Sequence, residues 1–361
     1  MLKDKMLYGL NDVTIVPATL SWIDSRSECF TNYPSGCLPL FAAPMSSVID
    51  DTNYKVFEDS GIRTVIPRNI PFERRMELSD KVFAAVGLGE FRNIVENMEL
   101  PTRRFFCIDI ANGHMKSVYD LCKMAKERFD RKISIMVGNI ANPLTYHEIC
   151  KKYPGVIDYI RCGIGGGSCC TTSANTSIHY PMASLISEMR KCKEYYHGVG
   201  LYDICPEIIA DGGFHNFDQI IKALALGADY VMLGNILARC EEACGDTIEE
   251  YNVDAYPKAI VYDEYADDDD YSIYKTYVKL REYYGMSTKK AQKEFGGEGN
   301  KTSEGIIKRV PVEYTLEGWI DNFKSYLKSA MSYTDFRDIE DFVGGPTLLP
   351  MTNSAFNAYF K

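Results

Sequence analysis

Two adjacent thiols, Cys169 and Cys170, close a glycine-rich stretch, Gly163-Ile164-Gly165-Gly166-Gly167-Ser168, and are followed by Thr171 and Thr172. A thiolate is strongly nucleophilic even when only a small fraction is ionised. Glycines let a backbone take positive φ and approach a ligand closely. The stretch follows the apolar run Ile157 to Cys162, so it reads as the turn that leaves a strand. Such a loop suits covalent chemistry on a bound small molecule. It would equally serve as a turn beside a packed cysteine, because free Cys is among the most buried residue types.

The chain around this loop has 361 residues, 46% hydrophobic and 25% charged, with a net charge of −10. That balance describes a globular protein and argues against nucleic acid as a main partner. It leaves room for a phosphorylated ligand, which helix N-termini and loops can bind inside an acidic chain. The first residues carry no apolar core like that of a signal peptide, and no window reaches the apolar length of a membrane helix. Twelve cysteines without a secretion signal suggest reduced thiols and a cytoplasmic setting. No CxxC pair occurs; Cys240 and Cys244 are four apart with no histidine close by, which speaks against zinc.

Eight short apolar runs recur along the chain: Leu38–Ala43, Ile62–Ile66, Val82–Val86, Phe105–Ile108, Ile133–Val137, Ile157–Ile160, Glu207–Ala210 and Tyr230–Leu233. Near-continuous apolar runs of this length fit strands buried on both faces of a parallel sheet. Between them lie helical patterns, among them Lys116–Phe129, Pro143–Lys152, Met182–Lys193 and Asn216–Leu226. Eight alternating units predict an α/β fold, a single (β/α)8 TIM barrel, with active-site loops at the C-terminal strand ends. A lead-in precedes the first strand. A long insertion follows the eighth, from about Ala238 to Pro311, with the acidic run 263–270 inside it as a solvated segment. The last barrel helix falls near Thr315–Met331. No linker divides residues 1–361, so one domain is expected.

The unusual residues fall at the predicted strand ends: Asp109, Asn112 and Gly113 after strand four, Gly138-Asn139 after strand five, the Cys170 loop after strand six, Asp211-Gly212-Gly213 after strand seven, and Gly234-Asn235 after strand eight. Loops after strands seven and eight often hold phosphate in such barrels. Asp211 also reads as a helix cap. Taken in order with Leu10-Asn11-Asp12-Val13, Ala43-Pro44-Met45 and Tyr284-Gly285-Met286-Ser287, these motifs resemble the IMP dehydrogenase and GMP reductase family across most of the chain.

The resemblance implies a Cys170 nucleophile attacking C2 of a purine nucleoside monophosphate, with Cys169 packing where the family has an aliphatic residue. It implies that Thr172 and Glu304 protonate a leaving amine. Substrate contacts follow for Met45, Ser168, Asp211, Gly212, Gly213, Gly234, Asn235, Gly285, Met286 and Ser287. Cofactor contacts follow for Asp109, Asn112, Gly113 and Gly138, with NADPH as hydride source. Carbonyls of Gly163, Gly165 and Cys170 are implied for a monovalent cation such as K⁺, and a homotetramer is expected. The interval Ser287 to Ser303 has neither Arg nor Tyr, whereas the dehydrogenases carry an Arg-Tyr pair there to activate water. No regulatory CBS pair fits between Arg68-Asn69 and Val82. A GMP reductase-like activity is therefore expected. The other readings are an IMP dehydrogenase lacking a CBS domain, a member acting on a deoxy or modified purine nucleotide, a nucleotide-binding protein without turnover, and a flavin-dependent barrel. Departures from the family pattern include Ser46, Gly166, Ser173, Thr176 to His179, and Asn235.

Overall fold

Strands whose side chains are apolar on both faces need cover on both faces, and a closed parallel sheet ringed by helices provides it. The computed structural model describes residues 5–251, 277–285, 288–294 and 305–360. Within it, β1 (Leu40–Ala42), β2 (Arg63–Ile66), β3 (Phe83–Val86), β4 (Arg104–Asp109), β5 (Ile133–Ile140), β6 (Tyr159–Cys162), β7 (Glu207–Asp211) and β8 (Tyr230–Leu233) pair in parallel, and β8 closes onto β1. All eight expected runs thus become barrel strands. β4, β5 and β6 run one, three and two residues further toward the C-terminal rim than the apolar pattern suggests. There the chain carries Asp109, Gly138 and Cys162, which are polar or small yet still paired, while Asn139 falls in a register shift between Val137 and Ile140.

The helices form where the 3.6-residue pattern places them. Lys116–Phe129 and Pro143–Lys152 keep their expected bounds. Asn142 caps the second of these by accepting from the Leu144 N–H, with Pro143 at the first helical position, where its missing N–H costs nothing. The last barrel helix spans Leu316–Thr334, three residues longer than expected at its C-terminal end; Thr315 accepts from the Gly318 N–H at its start.

The barrel interior is filled by Phe41, Val65, Phe83, Cys107, Met136, Ile209 and Met232. At the N-terminal end the Arg63 guanidinium lies 4.8 Å from the Phe41 ring centroid and 5.1 Å from that of Tyr159, whose hydroxyl accepts from it at 2.8 Å. This cation–π plug closes the lower end; such contacts contribute on the order of 1 kcal/mol. Buried acids also pin strands to helices. Asp158 accepts the Ile135 N–H at 2.7 Å and the Lys126 ammonium at 2.8 Å. Asp229 does the same with Ile208 at 2.7 Å and Lys193 at 2.8 Å.

Additions to the barrel frame it. The lead-in strand Val13–Ile15 pairs antiparallel with Leu348–Pro350 near the C-terminus. In the insertion, β9 (Thr247–Tyr251), β10 (Tyr277–Tyr284) and β11 (Ile307–Pro311) form an antiparallel sheet with β10 in the centre. The acidic run 263–270 lies outside the described residues.

Lys193 and Asp229 have side chains only 5% and 10% exposed. Removing one member of such a pair leaves an uncompensated buried charge. Lys193→Met should therefore lose about 3–5 kcal/mol of stability in denaturant unfolding. Lys116→Met, at an exposed pair with Asp120, should leave it essentially unchanged, because solvent screens the pair.

Candidate active site

The rim chemistry begins where β6 ends. Gly163 has φ +120, and a Cβ there would lie 2.4 Å from the Asp211 carbonyl oxygen. Gly165 has φ +75, and a Cβ there would meet Ser173 Oγ at 2.3 Å. Only glycine fits these two positions, and together they fold the loop back against β7. Two of the departures noted in the sequence reinforce that fold. Ser173 Oγ donates to the Gly165 carbonyl at 3.1 Å, and the His179 ring Nδ1 lies 2.9 Å from the Ile164 carbonyl.

The loop separates its two thiols. Cys169 is buried, donates to the Tyr283 carbonyl at 3.4 Å, and is pushed up in pKa by that burial. Cys170 is exposed, and its thiol donates to Thr172 Oγ1 at 3.3 Å. The Ile306 N–H donates to the Cys169 carbonyl at 3.0 Å, and Cys170 bridges Gly305 in antiparallel pairing. The start of β11 is thereby stitched to the loop. Glu304, Met286 and Ser287 lie outside the described residues, but Gly305, the next residue after Glu304, is the one paired with Cys170.

A second group of residues gathers around β8. Gly234 leads into the one-turn helix Asn235–Ala238. The Tyr283 hydroxyl donates to Met45 Sδ at 3.4 Å and would lie 2.6 Å from a Cβ at Gly234. The Asn235 backbone N–H also faces that hydroxyl. Ser168 Oγ is buried near Tyr283 and Cys169, yet meets no partner at hydrogen-bond geometry. A buried hydroxyl without a partner is costly, and an anion with acceptor oxygens would satisfy it. Gly212 and Gly213, both at positive φ, pack on the Gly166-Gly167 backbone beside this group. Gly285 closes the strand; its carbonyl accepts from Thr288 Oγ1 at 2.9 Å.

The expected cofactor residues sit across the rim. Asp109 ends β4, Asn112 and Gly113 follow it, and Asn112 is exposed. The Gly113 N–H donates to the Asn139 carbonyl at 2.9 Å, and a Cβ at Gly138 would strike Arg161 Cβ at 2.4 Å. The two acids share one buried cation. Arg161 Nη1 donates to Asp109 Oδ1 at 2.6 Å, while its Nη2 and Nε donate to Asp211 Oδ2 at 2.9 and 3.1 Å. Burial works against the Arg161 charge, but Asp211 and then Asp109 outweigh it and hold the guanidinium well above its ordinary pKa. Asn139 Nδ2 donates to Asp211 Oδ2 and to the Gly163 carbonyl, each at 2.8 Å. Asp211 is thus held by Arg161 and Asn139 rather than capping a helix, and Oδ1 takes none of these bonds. The carbonyls of Gly163 and Gly165 already accept from Asn139 and Ser173, so a cation would have to share them through their second lone pairs.

Arg161, Asn139 and Tyr283 carry more of this arrangement than their sequence context suggests. A signal for Arg161 exists: a cation inside an apolar strand run, Ile160-Arg161-Cys162, demands a buried acid at its level. Two clefts of about 490 and 320 Å³ open elsewhere, near Phe72 and Arg104 and near Cys37 and Lys324. Neither includes a residue of the Cys170 loop.

Comparison with known proteins gives the family of the chain. Residues 8–260 match the family model for the IMP dehydrogenase / GMP reductase domain. The chain belongs to the IMP dehydrogenase / GMP reductase family. It is similar to proteins named GMP reductase from Buchnera aphidicola subsp. Acyrthosiphon pisum (strain Tuc7), 27% identical with 99% of each chain covered, and from Vibrio campbellii, 27% identical with 100% of this chain and 99% of the relative covered. The GMP reductase of Vibrio cholerae is also 27% identical, over 380 residues. The family match contains the Cys170 loop, the Arg161 cluster and the Gly234 turn; Tyr283, Gly285 and Gly305 lie beyond it. No helix among the described residues is long and apolar enough to cross a membrane.

The separation of the thiols has a direct chemical readout. Brief iodoacetamide treatment of the folded protein, followed by peptide mass mapping, should label Cys170 and leave Cys169 free. Equal labelling of both would contradict the loop geometry.

Proposed function

We propose that this protein is a GMP reductase, converting GMP, NADPH and two protons to IMP, NADP⁺ and ammonium. The observation that carries the reading is the exposed Cys170 thiol on Thr172, with Gly305 paired beside it. The full-length similarity to proteins named GMP reductase supports it.

In this reading Asp211 orients the ribose, its own carboxylate fixed by Arg161 and Asn139. Ser168 Oγ and the backbone N–H groups of Gly213 and Gly234 hold the 5′-phosphate, with Gly212, Asn235, Met45 and the Gly285-Met286-Ser287 segment completing the nucleotide site. Cys170 attacks C2, which its two flanking ring nitrogens make electrophilic. Thr172 relays a proton from Glu304 to the 2-amino group, which leaves as ammonia. The reduced nicotinamide supplies a hydride to C2 when bound beside Asp109, Asn112, Gly113 and Gly138. Cys170 then departs as IMP is released. Covalent catalysis divides one difficult substitution into two easier ones. The absence of Arg and Tyr between Ser287 and Ser303 favours loss of an amine over activation of water, and so favours this reading over the dehydrogenase. We place the enzyme in the cytoplasm as a one-domain homotetramer. A monovalent cation near Gly163, Gly165 and Cys170 carries no step of the reaction.

The test is absorbance of the reduced nicotinamide with GMP plus NADPH, alongside ammonia release. Stoichiometric NADPH loss and ammonia are expected. Robust NAD reduction with IMP, yielding XMP, would overturn the reductase reading. Cys170→Ala should abolish turnover and Cys169→Ala should be mild. Glu304→Gln should slow ammonia release by about 10²–10⁴-fold, the usual worth of a general acid.

A further inference from the structure

Arg281 is 2% exposed and donates to backbone carbonyls rather than to a carboxylate. Its Nη1 reaches the Ala238 and Cys240 carbonyls, each at 2.6 Å, and its Nη2 reaches that of Glu241 at 3.3 Å. Burial opposes its charge. These carbonyls belong to the C-terminal end of the helix Asn235–Ala238 and the turn after it, groups that a helix leaves without internal partners. Basic side chains at a helix C-terminus satisfy such groups.

The other end of the same helix is the Gly234 turn, and there the partner on β10 is Tyr283. Residues two apart on a strand face the same side, roughly 6.6–6.8 Å apart. A four-residue helix is about 6 Å long. β10 therefore spans the helix end to end, with Arg281 on its C-terminal carbonyls and the Tyr283 hydroxyl at Gly234 and the Asn235 N–H. β10 is itself held in register, Arg281 opposite Thr247 on β9 and Val310 on β11. Ser168 Oγ is buried beside the same Tyr283 hydroxyl.

We propose that Arg281 is a positioning residue for phosphate recognition: by clamping the far end of the one-turn helix to β10, it sets the Gly234–Asn235 N–H groups in register with Tyr283 and Ser168 around one anion. It touches no ligand itself. The proposal rests on the reading that this turn takes the 5′-phosphate, and it assigns the insertion a role in substrate affinity.

The experiment measures binding of GMP and of guanosine, which lacks the phosphate, to the full chain by titration calorimetry, with a thermal melt of each variant. Arg281→Met should weaken GMP binding by about tenfold or more, the scale of losing charged hydrogen bonds, and leave guanosine binding within about twofold. Arg281→Lys should fall between, because one ammonium cannot reach all three carbonyls. GMP affinity unchanged in Arg281→Met, or an equal loss for both ligands, overturns the proposal; equal loss is what a merely structural role gives. If Arg281→Met does not fold, Arg281→Lys decides on the same terms, by a loss confined to GMP. A wild-type chain that binds GMP no better than guanosine overturns the phosphate reading and this proposal with it. A wild-type preference that survives in the variants overturns the proposal alone.

Discussion

The rim of this barrel depends on one buried cation. Arg161 sits on a strand whose neighbours are apolar, and a guanidinium there is tolerable only with close acids. β4 supplies Asp109 on one side and β7 supplies Asp211 on the other. The shared charge fixes two carboxylates from different strands around one guanidinium. Asn139 ties the same Asp211 to the Gly163 carbonyl. One network therefore sets Asp211, Asp109 and the first residue of the cysteine loop. The proposed reaction needs that preorganisation, because nucleotide and nicotinamide must meet at one carbon with little freedom left.

The cysteine loop shows how adjacent identical residues acquire different chemistry. Backbone pairing with Gly305 and Ile306 turns Cys169 inward and Cys170 outward. Cys169 then serves as an anchor for β10 through the Tyr283 carbonyl. The insertion is not a detached appendage: β10 meets the helix after β8 and Cys169, and Gly305, just before β11, pairs with Cys170. Residues far apart in the chain are brought to one face by a sheet whose strands β10 and β11 lie beyond the segment matched by the family model.

Much of the fold was legible because a doubly covered parallel sheet imposes continuous apolar runs, and eight of these are hard to mistake. Strand ends were less legible, since Asp109, Gly138 and Cys162 continue the pairing with residues that propensity does not favour. The lead-in pairing of Val13–Ile15 with Leu348–Pro350 escaped notice, because three-residue strands carry almost no periodicity. The same holds for the insertion's sheet, whose strands are polar and whose partners are remote. The glycine and cysteine motifs fall at the C-terminal strand ends, where the order of the apolar runs put them. Arg161 was hidden because a single charged residue in an apolar run says only that a partner exists. Tyr283 was hidden by its neighbour Tyr284, which no spacing rule separates from it.

The claim that C2 of the purine is the reacting centre is tested most directly by isotope. Turnover of GMP with NADPH deuterated at the transferable C4 position should give IMP carrying one deuterium at C2, read by mass spectrometry and proton NMR. IMP with hydrogen at C2 derived from solvent, or deuterium appearing at any other position, would contradict the account.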